Sequence, residues 1–516
     1  MTKSINNKYP WLLTWGKWLV YILIFALFLI KSLHVIDPDF GWHLREGQDF
    51  LNGIFPARDI YNFNAADYSW AAHEWLSDVL MAFLFNMGGY LLVAIIWGLF
   101  FTAGFWFAGR NKFGPVVFAA FLAALPFMGV RTVVFAVFGL GFLIWFTEYK
   151  SIKPKLKLLL IPLILLLWAQ LHGSFIVGIV YLLFRAIFID KSWKMAVATI
   201  VGSLITIINP FGYHLWLETL AILFDREKTW NIGEWAIGID FWTIMPLFMI
   251  WLTGFVLKPP KKISLKKANF RNWFYFIRFD ILAFLASFKS IRNYPLFALA
   301  AISPAHDSMI ELNKMARITR QGLIFGKIIY SLFIAGMMFV TINFFYPYVQ
   351  NMFEYNEIVI ATSERNNMPN KIINYLNENP CNGNLFNHYN LGGYLIWKLP
   401  NQKVYADGRM GSAWTRPNGS DIGEAGENYF LTWKLIYFGE AIERDLVDDL
   451  FGAKADDSKY EYTEYAQKRQ MEIFEQFNIT CAIIDKESNI YNQLKSQDWK
   501  TTIADDNGWF LLEKPI

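Results

Sequence analysis

The sequence predicts an all-α polytopic membrane bundle of about 11 transmembrane helices in residues 1–345, followed by a soluble α/β domain in 346–516. Three observations predict it. Of 516 residues 55% are hydrophobic and only 17% charged, against about 25% charged in an ordinary soluble domain. The apolar residues lie in long runs rather than spread evenly, and beyond residue 345 the composition turns polar, rich in Asn, Asp and Glu. The same figures exclude a disordered chain and, with two cysteines, a disulfide scaffold. A formal net charge of +4 is too small a bias to argue for a nucleic-acid partner.

The first run, Trp18 to Ile36, is broken only by Lys31, Ser32 and His34. It is too long, and lacks a small-residue cleavage site before Asp37, to read as a cleaved signal peptide. Residues 90–109 carry no charge, and further runs lie at 113–129, 131–147, 157–171, 173–189, 193–209, 240–257, 272–288, 292–304 and 322–345. A helix needs about 20 apolar residues to cross roughly 30 Å of hydrocarbon. A soluble core can bury one or two such helices, but not eleven.

Positive charge sets the orientation. The basic loops are Arg110–Lys112, Lys150–Lys157, Lys191–Lys194, Lys258–Arg271 and Lys314–Arg320. With one crossing per run they all share the cytoplasmic side. The N-terminus joins them if His73–Met87, short and carrying Asp78, lies in the interface as a helix rather than crossing. Residues 37–88 then form a large first loop outside the membrane, and the C-terminal domain is outside as well. In that domain Asn384–His388, Lys403–Ala406 and Thr480–Asp485 read as strands. Trp499–Ala504 and Trp509–Glu513, split by Asp-Asp-Asn-Gly, read as a hairpin. Cys381 and Cys481 both fall there, and spacing leaves open whether they pair or stay as small apolar residues.

Polar residues gather on the outer face. The first loop opens Asp37-Pro-Asp39-Phe-Gly-Trp42-His43-Leu-Arg45 and continues with Trp70-Ala-Ala-His73-Glu74-Trp75. Arg131, His172, Asn209-Pro-Phe-Gly-Tyr-His214, Asn231-Ile-Gly-Glu234-Trp235 and Arg292-Asn-Tyr-Pro follow at later outer turns. This arrangement suits transfer from an undecaprenyl-type lipid phosphate. The tail of such a donor stays in the bilayer while its phosphate meets arginine forks at the interface. A carboxylate just above the bilayer can take a proton from an acceptor hydroxyl. Trp42, Trp70, Trp75 and Trp235 offer faces for sugar rings, or form an interfacial belt. Each group also has a plainer role. Asp37 before a proline ends a helix, Arg131 and Arg292 snorkel, Glu74 caps a helix, and a lone loop histidine such as His172 or His214 is structural.

The first-loop run, with His73-Glu74-Trp75-Leu, resembles a group of bacterial multi-spanning membrane proteins assigned to the GT-C class of glycosyltransferases. That group lies near the protein O-mannosyltransferase and aminoarabinose-transferase types. Trp168-Ala-Gln-Leu-His172-Gly, Asn209-Pro-Phe-Gly and Arg292-Asn-Tyr-Pro-Leu-Phe match as well, as do Asn390-Leu-Gly-Gly-Tyr394-Leu and Asp407-Gly-Arg409. The resemblance implies a GT-C helical bundle, a polyprenyl-phosphate sugar donor, and a first-loop acid, Asp37 or Asp39, as base. Arg131 stands in Arg-Thr-Val where many members show Arg-Pro-Gln.

The leading reading is therefore a glycosyltransferase of a bacterial plasma membrane. Asp37 or Asp39 would be the base, and Arg131, His172 and Arg292 would bind the donor phosphate. Trp42, His43, His73, Glu74, His214, Glu234, Tyr394, Asp407 and Arg409 would contact substrate. A divalent Mg or Mn held by Asp37, Asp39 and Glu234 is left open. Its partners would be the bilayer, the lipid-linked sugar and a glycan, lipid or protein acceptor. The competitors are a flippase of a lipid-linked saccharide, which predicts charges inside spans and paired repeats, and a non-enzymatic envelope assembly protein.

Overall fold

The computed structural model describes residues 10–66, 70–125, 129–224, 241–257, 278–354, 368–409, 433, 436, 437 and 459–515. In chain order the helices are α1 (Pro10–His34), α2 (Phe40–Leu51), α3 (Trp75–Gly109), α4 (Gly114–Ala123), α5 (Val134–Glu148), α6 (Pro154–Leu171) and α7 (Phe175–Phe184). There follow α8 (Trp193–Ile205), α9 (His214–Phe224), α10 (Phe241–Leu257), α11 (Phe279–Lys289), α12 (Tyr294–Ile318) and α13 (Arg320–Glu354). The C-terminal part adds α14 (Asn370–Glu378), β1 (Asn384–Asn387), α15 (Gly392–Lys398), α16 (Lys459–Gln476), β2 (Ile479–Asp485), α17 (Asn489–Ser496), β3 (Lys500–Ala504) and β4 (Trp509–Glu513).

Each of the eleven apolar runs overlaps one of these helices. By length and composition Trp75–Gly109, Pro154–Leu171 and Arg320–Gln350 suffice to cross a membrane among the described residues. Several others, such as the 10-residue α4, are shorter than their apolar run. Helix α3 is broken at Gly88 (φ −155°, ψ 22°) and Gly89 (φ 63°, ψ −165°). The break separates Trp75–Met87 from the charge-free stretch that follows. Gly89 has a left-handed backbone that a side chain would resist.

The chain divides into two compact units. The first comprises Met1–His34, Gly88–Asn209 and Lys228–Asn356, and α12 is its central helix, packed on α4, α10, α11 and α13. That helix runs 25 residues, well past the apolar run ending at 304, because its second half is amphipathic. Ala305, Ser308 and Leu312 stay buried on one face while Lys314 and Arg317 are exposed. Helices α3 and α5 approach at Gly104 and Gly141, where a Cβ on either glycine would collide with the other helix's backbone. Such small-residue contacts bring helices close where apolar burial gives little drive. Phe28, Phe101, Phe105 and Phe121 fill the interior, each ring meeting the next 5.2–6.2 Å away.

The second unit comprises Val35–Met87, Pro210–Glu227 and Glu357–Ile516. Its sheet has the order β1-β2-β4-β3. β1 is parallel to β2, and β4 is antiparallel to both β2 and β3. The hairpin turns at Asp505–Gly508, with the Asp505 amide donating to the Trp509 carbonyl (2.8 Å). Lys403–Ala406 does not form a strand. Val404 makes only isolated bridges, to Asn62 and Leu385, because Asn387 Oδ1 takes the Tyr405 and Ala406 amides instead. Leu385, Ile483, Leu511, Leu395 and Ile372 form the core. Cys381 and Cys481 are disulfide-bonded, with Cα atoms 6.0 Å apart and 100 residues between them in sequence.

Candidate active site

The first-loop motif folds into a helix that the hydropathy pattern hides. Asp37 Oδ1 accepts from the Asp39 amide (3.0 Å), and the Phe40 amide donates to the Asp37 carbonyl (3.0 Å). This turn starts α2, whose buried residues include His43, Glu46 and Asp49 beside Phe40, Trp42 and Leu44. Asp39 is half-buried, and its Oδ1 accepts from the Trp42 indole (3.1 Å).

Three motifs far apart in the chain close around Asp39. A Cβ at Gly408 would collide with the Asp39 carboxylate, and one at Gly393 with the Pro38 carbonyl. One at Gly41 would strike the Gly393 backbone. Glycine at all three positions lets α2, the start of α15 and the Asp407-Gly-Arg409 turn meet at backbone distance.

Beneath Asp39 lies a buried ionic network. Arg409 Nη1 sits 2.9 Å from Asp59 and Nη2 2.8 Å from Asp407, while Nη2 also donates to Asn62 Oδ1 (2.7 Å). Its guanidinium faces the rings of Tyr61 (4.8 Å), Trp70 (5.2 Å) and Trp42 (5.9 Å). Burial works against the Arg409 charge, but Asp407 and Asp59 outweigh it and hold the guanidinium firmly protonated. At Asp59 burial wins, raising the carboxyl despite the nearby arginine.

A pair of buried carboxyls, Glu46 on α2 and Asp78 in the first turn of α3, lies in the same unit. Trp70 Nε1 donates to Glu46 Oε1 (2.6 Å). Burial pushes Glu46 up to about 8, with Arg409 and Trp70 opposing it in part. Burial also raises Asp78 well above the usual carboxylate range, and the neighbouring Glu46 and Glu74 add to it. His43 lies 2.7 Å from Asp78 and 3.4 Å from Glu74, whose other oxygen is 3.5 Å from His73.

The structure thus brings Asp37, Asp39, Trp42, His43, His73, Glu74, Tyr394, Asp407 and Arg409 into one unit. It buries Trp42, Trp70, His43, Tyr394, Asp407 and Arg409 rather than presenting them at a surface mouth. Tyr394 donates to Asn370 (3.0 Å). His214 is exposed at the start of α9, stacked on Tyr213. Arg131, His172 and Arg292 belong to the helical unit, each half-buried at a helix end. His172 Nδ1 accepts from the Ser174 amide (2.9 Å), and Arg292 lies in a short 3₁₀ turn begun by Ser290. Glu234 and Trp235 lie outside the described residues. Among the described residues no group of three or more His, Cys, Asp or Glu is arranged to hold a metal ion. Asp37 and Asp39 instead accept the hydrogen bonds above. Sequence reasoning missed Glu46, Asp49, Asp59 and Asn62. Their one signal was acidic residues recurring among aromatics in the first loop.

No family model matches the chain, and no curated protein matches its sequence. Among solved structures it is similar to an oligosaccharyltransferase of Archaeoglobus fulgidus crystallised with a tethered acceptor peptide. The TM-score is 0.47 at 12% identity, covering 93% of this chain and 70% of that one. It is also similar to ArnT of Cupriavidus metallidurans bound to undecaprenyl phosphate, with a TM-score of 0.42 at 10% identity over 98% of each chain.

Proposed function

We propose that this chain is a membrane glycosyltransferase that moves a sugar from a polyprenyl-phosphate donor to an acceptor hydroxyl outside the bacterial plasma membrane. Its N-terminus would be cytoplasmic, and its first loop and C-terminal part extracytoplasmic. The observation that carries this reading is the convergence of three separate motif segments on one half-buried carboxylate, Asp39. Glycine at 393 and 408 and the Trp42 indole hold that carboxylate in place. Asp37 accepts the Asp39 amide in the turn and serves chiefly to shape it.

Asp39 takes the acceptor hydroxyl proton as the acceptor oxygen attacks the anomeric carbon. The bond from that carbon to the phosphate oxygen breaks, its electron pair leaves with the polyprenyl phosphate, and the configuration inverts. Arg131, Arg292 and His172 neutralise the departing phosphate. Arg409 and Asp407 do not touch substrate in this reading; they brace the loop that carries Asp39.

Membranes supplied with a radiolabelled polyprenyl-phosphate sugar test the assignment. Asp39→Asn should lower transfer by about 10²–10⁴-fold, the usual range for loss of a general base, and Asp37→Asn should lower it far less. Full transfer in both variants removes the base assignment. Labelled lipid that crosses the bilayer unconsumed establishes the flippase instead.

A further inference from the structure

Neighbouring residues on an α-helix point about 100° apart and do not face each other. Trp42 and His43 of α2 break that expectation. Their rings lie stacked, with centroids 3.5 Å apart and planes inclined by 30°. A force from outside α2 must therefore hold the imidazole against the indole, and the start of α3 supplies it.

Glu74 immediately precedes α3 and Asp78 lies in its first turn. Four residues apart, the two acids share one face. Asp78 Oδ1 is 2.7 Å from His43 Nδ1, and Glu74 Oε2 is 3.4 Å from Nε2, so each ring nitrogen meets an acid. With the Cβ tether, these anchors give the ring three fixed points, which determine its plane. Gly47 lets α2 come this close, since a Cβ there would collide with the Asp78 carbonyl. The clamp is dry: the side chains of His43, Asp78 and Glu74 are 4%, 0% and 8% exposed.

The indole passes the constraint on. Trp42 stands three residues after Asp39, which flanks the start of α2, so its side chain can reach back to that carboxylate. Its Nε1 donates to Asp39 Oδ1 (3.1 Å). Trp70, with its ring centroid at 6.4 Å, and the Arg409 guanidinium, at 5.9 Å, stand farther from the indole than His43 does. The bond to Oδ1 sets the rotation of the carboxylate, and with it the direction of Oδ2.

We propose that His43 is a positioning residue for Asp39: clamped by Asp78 and Glu74, its ring fixes the angle of the Trp42 indole, whose N–H fixes the carboxylate. This rests on the assignment of Asp39 as the base. Buried as they are, His43 and Glu74 act on the reaction through Asp39 and not by touching substrate.

The test measures kcat and KM for a radiolabelled polyprenyl-phosphate sugar with the full-length protein in membranes. Trp42→Phe keeps a ring and removes the N–H. It should lower kcat about 10-fold, the low end for one hydrogen bond to a charged group, and leave KM unchanged. His43→Gln offers Asp78 an amide N–H but gives Trp42 no ring, and should have the same effect. Because both act through one hydrogen bond, the double variant should be no slower than Trp42→Phe alone, within about twofold. A second pair of variants puts the same question to the anchor. Asp78→Asn still accepts from His43, whereas Asp78→Leu does not, and kcat should be about fivefold higher in the former. Losses in Trp42→Phe and His43→Gln that multiply to about 100-fold overturn the positioning role. So does a raised KM at unchanged kcat in His43→Gln, or equal kcat in the two Asp78 variants. All three results are compatible with an inactive Asp39→Asn, so they leave the base assignment standing. Full transfer in Asp39→Asn defeats that assignment itself, and the positioning role with it.

Discussion

In the helical unit Arg185 meets Asp190 five residues on and Arg278 meets Asp280 two residues on. In the other unit Arg409 reaches an asparagine 347 positions earlier and, beside it, Asp59. The first kind of pair is settled within one turn of chain and leaves the packing of apolar faces to decide the tertiary structure. The second kind decides the tertiary structure itself, since Asp59, Asp407 and Arg409 are each tolerable in the interior only when all three are present. Buried charge is a local detail in one unit and the assembly principle of the other.

The sharpest way to break that contrast is Arg409→Met. It strands two buried carboxylates, and the second unit should lose about 3–5 kcal/mol, read as a lowered midpoint in urea. Lys314→Met in the helical unit removes an exposed pair with Glu311 and should cost less than about 1 kcal/mol. Next in size is the covalent tie: Cys381→Ser with Cys481→Ser opens a link across 100 residues and should cost about 2–5 kcal/mol. It should also make the second unit, and not the helical one, sensitive to trypsin. Gly41→Ala tests the interlock of α2 with α15, and with backbone as the obstacle it should cost about 1–3 kcal/mol.

The last effect is read as a slope with pH rather than as a midpoint. Glu46 titrates near 8 in the fold and near 4.5 as an ordinary glutamate. The folded state therefore binds the extra proton, and the stability it confers is complete below 4.5 and is lost as pH rises through 8. Glu46→Gln should flatten stability between those limits while keeping the acceptor for Trp70, which thermal unfolding across that range will read.

The same contrast explains what could be read from residues alone. Apolar runs announced α1, α3 to α8 and α10 to α13, because a helix that hides its backbone from lipid must be continuously apolar. Helix α2 went unannounced since its buried face carries His43, Glu46 and Asp49, which hydropathy counts as polar. The β1, β2 and hairpin strands followed from alternation and turn residues, but 403–406 did not pair, because Asn387 intercepts its amides. The candidate site was legible as a list of motifs and not as a shape. Asp39, Gly393 and Gly408 are informative singly only as acid and turn residues, and what unites them is steric contact across the whole chain. Asp407 and Arg409 read as surface recognition groups, since their buried partners Asp59 and Asn62 had no visible claim on them.

The order of synthesis gives the Arg409 network one more consequence. Asp59 and Asn62 leave the ribosome with 347 residues still to come before their arginine. At roughly 5–20 residues per second, that interval is on the order of tens of seconds. Through all of it the early segment must keep its acids hydrated and postpone its final packing. Quality control of a truncated chain is thereby built in: a product that stops short of position 409 can insert its helices, yet never brings together the segments around its proposed catalytic acid.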